Sequence, residues 1–139
     1  MVDGAAGGWL AVTQSLDRFG EIAWLWLFSL LWVAGFDIIY ATMDEAFDRE
    51  AGLHSLPAKL GKCKALDAAA VLHAAALAAL AILWRDQMHR SPVALVWLIA
   101  LAALFVWQHA VAEKRPEFAF FKLNAAVGFV VFAFVFAGY

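Results

Sequence analysis

Cysteine is almost missing from this chain of 139 residues, where Cys63 stands alone. No intrachain disulfide can form, and a cysteine-based zinc site has too few ligands. Charge is scarce as well: Asp, Glu, Lys and Arg make up 16% of the residues, against about 25% in globular domains. The net charge is −2 and no basic patch stands out, which argues against a nucleic-acid partner. The start, Met1-Val2-Asp3-Gly4, lacks the basic residues that open a secretory signal peptide. The apolar segments are therefore expected to act as their own membrane signals. Polar surface is the largest deficit. Hydrophobic residues reach 65%, against roughly 45–50% in soluble domains, and the mean hydropathy is +0.78. A soluble globule and a disordered chain are both excluded, which leaves an integral membrane protein.

A bilayer core about 30 Å thick needs about 20 mainly apolar residues of helix to cross it. Four segments meet that length: 22–40, with three Trp; 65–84, rich in Ala and Leu; 92–112; and 118–139, dense in Phe and Val. Pro92 suits a first helical turn. The aromatic and β-branched content of the last segment would fit a strand, but its length and lack of turn signals favour a helix in lipid. Residues 1–21 read as the end of a preceding helix (8–12) and a turn through Asp17, Arg18 and Gly20. The expected fold is all-α: four transmembrane helices plus the tail of a fifth, with the chain beginning in mid-fold.

The connections are unequal. Residues 85–91 and 113–117 are short turns, whereas 41–64 is long and polar. It holds Asp44, Glu45, Asp48, Arg49, Glu50, His54, Lys59, Lys62 and Lys64, far more charge than a hairpin needs. A helical continuation is expected through about Ala51, ended by Gly52, with a second ordered turn near Pro57. Basic loops stay in the cytoplasm. One side carries Arg49, Lys59, Lys62, Lys64, Lys114, Arg115 and Lys122, the other Arg18, Arg85 and Arg90. The 41–64 loop is therefore expected to be cytoplasmic.

Asp37, Asp44 and Asp48 stand at spacings of 7 and 4, which on one continuous helix puts them on one face, with Tyr40 beside them. Asp37 follows Ala34-Gly35-Phe36 inside an apolar span, where an ionised group is costly and usually faces a bundle interior or a polar cavity. Three neighbouring carboxylates repel one another, and a divalent cation relieves that. Oxygen ligands alone suit Mg²⁺, which takes one or two carboxylates together with water and phosphate oxygens. Against this stands the reading of Asp44 and Asp48 as solvated loop residues beside Arg49 and Lys59. The intramembrane Asp37 and the Ser-x-Pro turn favour a metal–diphosphate site. In that turn, Gly52 and Gly61 permit sharp bends, and Ser55 either caps the next helix or donates to a phosphate oxygen. Lys59 and Lys62 either attract diphosphate or mark the cytoplasmic side.

The run from Asp37 to Gly61, in the pattern DxxYxxxDxxxDxxxGxxSxPxxxG, resembles the second aspartate-rich motif of the UbiA-type membrane prenyltransferases. The similarity is greatest to the 4-hydroxybenzoate polyprenyltransferase-like group, including enzymes of menaquinone synthesis. Trp32-Val-Ala-Gly35-Phe36 and Gly8-Trp9-Leu-Ala-Val-Thr13 are similar too, with weaker likeness at Gln108-His109 and Asn124. The resemblance implies a nine-helix bundle with two facing aspartate-rich motifs, of which this chain is the C-terminal portion. The first motif, NxxxDxxxD, is not in this sequence, so a truncated record or a split gene is expected, with a separate N-terminal half as partner. The implied reaction moves a polyprenyl group from its diphosphate to an aromatic, 4-hydroxybenzoate-like acceptor in ubiquinone or menaquinone biosynthesis. Asp44 and Asp48 match the Mg²⁺ ligands and Asp37 a neighbouring carboxylate. Tyr40 is placed to hydrogen-bond diphosphate or steady a carbocation, with Ser55 and Lys59 as substrate contacts. A bacterial inner membrane is the expected location, and the chain alone is expected to be inactive.

Other readings remain open on the residues. A non-catalytic remnant or subunit that binds Mg²⁺ and a diphosphate lipid would keep the same motif. A small channel or transporter using Asp37 would not explain Gly52, Ser55, Pro57 and Gly61. His73 reads as a packed, hydrogen-bonded histidine, His109 as a substrate-path or wet residue, and Asp67 as a helix N-terminal charge.

Overall fold

The structure is a computed structural model that describes residues 4–13 and 19–139. The expected turn at Asp17 and Arg18 lies outside the described residues. Among those described there is no strand. The elements are α1 (Gly4–Thr13), α2 (Ala23–Ala41), α3 (Glu45–Glu50), α4 (Leu56–Leu60), α5 (Lys62–Asp86), α6 (Pro92–Ala112) and α7 (Asn124–Gly138). A short 3₁₀ turn, Phe19–Glu21, precedes α2, and a π-helical stretch, Phe118–Leu123, leads into α7. Four helices are long and apolar enough to cross a membrane: α2, α5, α6 and the continuous Phe118–Gly138 helix.

Local chemistry sets the ends of these helices. Pro92 opens α6 behind Ser91, whose Oγ accepts from the Ala94 amide at 3.3 Å, a capping arrangement that satisfies one orphan N–H. α5 begins at Lys62, three residues before the apolar run, because Gly61 at φ 82° turns the chain there. The lysine stems then lie along the helix with their charges in the polar boundary.

α2 packs most extensively on α5 and α6 on α7, with α5 joining the two pairs. The main core gathers Phe28, Leu80, Leu83, Met88, Leu101, Phe105 and Phe134. A smaller cluster of Ile39, Ala69, Ala112 and Ala119 lies under the polar loop. Small residues dominate that second cluster and let backbones approach, as membrane interfaces require. Outward-facing Val106, Phe129, Phe132 and Phe136 are left exposed, which suits a surface solvated by lipid.

The helical continuation from α2 to Ala51 does not form. α2 stops at Ala41, and the amides of Met43 and Asp44 bond back to Tyr40 and Ala41, three residues behind. The Thr42 hydroxyl donates to the Ile39 carbonyl at 2.7 Å, competing with the α-helical ladder. Asp44 then takes non-helical angles as the residue before α3, a position Asp favours. Gly52 does end this segment. At φ +68°, it lets the Leu53 amide reach the Asp48 carbonyl at 2.8 Å and its own amide reach Arg49, a Schellman closure.

Candidate functional site

The acidic residues sit where α2 gives way to α3. Asp44 and Asp48 stay one turn apart, since the Asp48 amide donates to the Asp44 carbonyl at 2.8 Å. Asp37 belongs to the preceding helix, so the expected single stripe is broken into one carboxylate on α2 and a pair on α3. Among the described residues no three His, Cys, Asp or Glu side chains converge as a ready metal cage. Among the described residues neither Asp44 nor Asp48 has an ion-pair partner, and the Asp44 side chain does not cap the helix. The nearby Arg49 is engaged by Glu45, one turn back, rather than by either aspartate. Two unpaired carboxylates with oxygen donors only fit Mg²⁺, which keeps waters and phosphate oxygens in its shell, and do not fit an all-protein cage.

Asp37 is exposed rather than turned into the packed interior of these four spans. The reason is the helical period. Gly35, Phe36 and Ile39 occupy the buried side of α2, and at about 100° per residue Asp37 points roughly 200° away from Gly35. Tyr40 is also exposed, with its ring 4.8 Å from that of Phe120. An aromatic series continues from there, Phe120 to Phe36 at 5.6 Å, Phe36 to Trp32 at 5.8 Å and Trp32 to Phe28 at 5.6 Å. It runs from the acidic end towards the middle of the span.

Ser55 caps α4, with its Oγ accepting from the Ala58 amide at 3.3 Å. Its hydroxyl hydrogen is still free to donate elsewhere. Lys59 is exposed on α4. Pro57 is buried at the first turn of α4, and Gly61 at φ 82° ends it. The loop is thus two short helices, the first followed by Gly52 and the second by Gly61, both at positive φ, a shape that glycine adopts without strain.

A polar chain inside the bundle was beyond the reach of sequence reasoning. His73 is 1% exposed and stacks on Phe105 at 4.4 Å. Its Nε2 lies 3.3 Å from the Trp32 carbonyl and its Nδ1 3.0 Å from His109 Nε2. A carbonyl only accepts, so His73 donates from Nε2 and accepts at Nδ1 from His109. The indole of Trp32 donates in turn to Asn124 Oδ1 at 2.7 Å. α6, α5, α2 and α7 are therefore joined by one sequence of hydrogen bonds. His73 is packed and hydrogen-bonded, as expected, and His109 is its partner. A polar residue at helical spacing in each apolar span is the only signal that could have suggested this.

An all-helical membrane bundle with an acidic, glycine-punctuated loop at one end defines the class. Residues 4–124 match the UbiA prenyltransferase family, and the chain belongs to that family. It is 32% identical over 148 aligned positions to the 4-hydroxybenzoate octaprenyltransferase of Aeromonas hydrophila, covering 100% of this chain and 50% of that protein. The enzyme of the same name from Alcanivorax borkumensis is 30% identical over 139 positions, 93% of this chain and 46% of that protein. The polyprenyl transferase yanG of Aspergillus niger is 39% identical over 54 residues, 39% of this chain. The chain spans about half the length of the 4-hydroxybenzoate octaprenyltransferases it matches. No solved structure matches it at a comparable level of significance.

Proposed function

We propose that this chain supplies one acidic half of an intramembrane site that transfers a polyprenyl group from its diphosphate to an aromatic, 4-hydroxybenzoate-like acceptor. The observation that carries this reading is the unpaired Asp44–Asp48 pair at the start of α3, beside the Ser55-capped loop and the end of the aromatic series. Asp44 and Asp48 hold Mg²⁺, with Asp37 as a nearby carboxylate on α2. When bound, Mg²⁺ offsets the negative charge of the diphosphate and so helps it leave. Tyr40 hydrogen-bonds a diphosphate oxygen, Ser55 donates its hydroxyl hydrogen, and Lys59 attracts the anion. Tyr40 and Phe120 present aromatic rings at the acidic end of the span, which favour an allylic cation and keep water away from it.

We assign the reaction to ubiquinone or menaquinone biosynthesis, in a bacterial inner membrane with the 41–64 loop in the cytoplasm; the likeness to bacterial 4-hydroxybenzoate octaprenyltransferases and the basic asymmetry support this reading. A diphosphate clamped from both ends needs a second acidic motif, supplied by a separate N-terminal half, so the 139-residue chain alone is expected to show no turnover. A second reading is a subunit or remnant that binds Mg²⁺–diphosphate lipid without catalysis, supported by the lack of a third converging carboxylate among the described residues.

The test is binding of geranylgeranyl diphosphate to the purified chain in detergent as a function of Mg²⁺. Binding should need Mg²⁺ and should weaken strongly in Asp44→Asn and Asp48→Asn. Metal-independent binding, or unchanged binding in both variants at equal purity, sinks the proposal. Prenyl transfer on adding an N-terminal half that carries NxxxDxxxD separates the enzyme from the remnant.

A further inference from the structure

The end of the bundle that carries the acidic turn also holds a cleft of about 480 Å³. Its walls come from the turn after α2, the first residue of α5 and the turn between α6 and the last span. Lys62, Lys114 and Arg115 line it against a single carboxylate, Glu117. Lys62 Nζ donates to the Glu113 carbonyl at 2.6 Å. That bond ties α5 to the distant turn and leaves two of the three ammonium donors unused. Among the described residues none of the three cations has a carboxylate within ion-pair distance.

The cleft adjoins the aspartate pair through Met43, which also lines it, but none of Asp37, Asp44 and Asp48 is in its walls. Thr42 lines it and is buried on the same side of α2 as Gly35, whereas Asp37 is exposed on the other side. Its rim is aromatic. Phe118 packs against Trp107 with ring centroids 5.9 Å apart, and both rings are partly exposed. Aromatic side chains at span ends mark the level of the lipid headgroups. Exposed Val106, just before Trp107, and Phe121, one turn after Phe118, lie beside these rim residues along the chain, offering apolar surface to an acyl chain.

We propose that this cleft binds a phosphate-bearing anion, supplied by the headgroup of an anionic membrane phospholipid. Basic pockets between spans at a membrane surface hold such headgroups. Here the cations from two chain segments face one small volume, and the apolar rim lies where the acyl chains would begin. A free phosphate would use the cations but not the rim.

The test uses the full 139-residue chain in neutral detergent, with native mass spectrometry counting bound dioctanoyl phosphatidylglycerol and dioctanoyl phosphatidylcholine. Phosphatidylglycerol should bind about tenfold or more tighter. Each cation removed should cost about fivefold, and Lys62→Ala/Lys114→Ala/Arg115→Ala about a hundredfold. The charge-keeping Lys62→Arg/Lys114→Arg/Arg115→Lys variant should retain binding, and Arg85→Ala/Arg90→Ala at the opposite end should change nothing. If the triple alanine variant does not purify, the exposed single variants Lys114→Ala and Arg115→Ala carry the same comparison. Equal binding of the two lipids, or full binding by the alanine variants, overturns the proposal. Displacement of the lipid by millimolar inorganic phosphate, with no advantage for phosphatidylglycerol over phosphate itself, assigns the cleft to free phosphate and overturns the lipid assignment.

Discussion

Gly35 shows how much a single residue decides here. A methyl group at its Cα would lie 2.4 Å from the His73 ring, inside van der Waals contact. Gly35→Ala must therefore displace His73 from the Trp32 carbonyl and from His109, or push α2 away from α5. Overpacking of this kind costs roughly 1–3 kcal/mol. Thermal unfolding in detergent should show Gly35→Ala less stable than the parent. Gly35→Ala/His73→Ala should regain part of the loss, since the alanine side chain vacates the space. An unshifted single variant would mean that the contact yields freely. The acidic residues carry a different expectation. In a reconstituted enzyme, Asp44→Asn or Asp48→Asn should lower prenyl transfer by about 10²–10³, the range for losing one electrostatic stabiliser. His73→Ala should act mainly on stability.

At the scale of elements, the polar loop depends on two glycines in the left-handed region, Gly52 at φ +68° and Gly61 at φ +82°. An L-residue costs roughly 1–2 kcal/mol at Gly52 and about 1–3 kcal/mol at Gly61, whose ψ of 156° lies in a region essentially reserved to glycine, even though a Cβ at either position would meet nothing within 4 Å. Gly52→Ala and Gly61→Ala should each loosen the loop, read as faster amide exchange over 45–61. Gly20→Ala, with an equally open Cβ position and no positive φ, should not. Ser55→Ala should fray α4, since losing a cap costs about 0.5–2 kcal/mol. Unchanged exchange in both glycine variants would show that the loop does not hold this backbone shape. Glycines at these positions were legible as bends in the sequence. The stop at Ala41 was not, because it depends on Thr42 bonding back to Ile39.

For the whole molecule, four crossings put 41–64 and 113–117 on one face of the membrane and 86–91 on the other. In a Cys63→Ser background, single cysteines at Lys59 and Lys114 should react with an impermeant maleimide from the same side, and a cysteine at Arg90 from the opposite one. From the basic asymmetry the first side is expected to be the cytoplasmic one. Labelling of Lys59 and Arg90 positions from one side would refute the crossing pattern, whichever side it is.

The sequence alone determined that this is a membrane protein and that four segments are long and apolar enough to span. Those properties follow from apolar run length and from the near absence of charge within the runs, both local and additive along the chain. The motif from Asp37 to Gly61 also carried the family. Tertiary structure decided what depends on contacts between distant segments. The helix breaks at Thr42, so Asp37 parts from Asp44 and Asp48. Gly35 is the hole that receives His73, and His73 joins His109 to Trp32 across three helices. Lys62 meets the 113–118 turn through a bond spanning 51 positions. No period within one helix encodes which neighbour fills its buried side, because that is set by the packing of α2 on α5 and of α6 on α7.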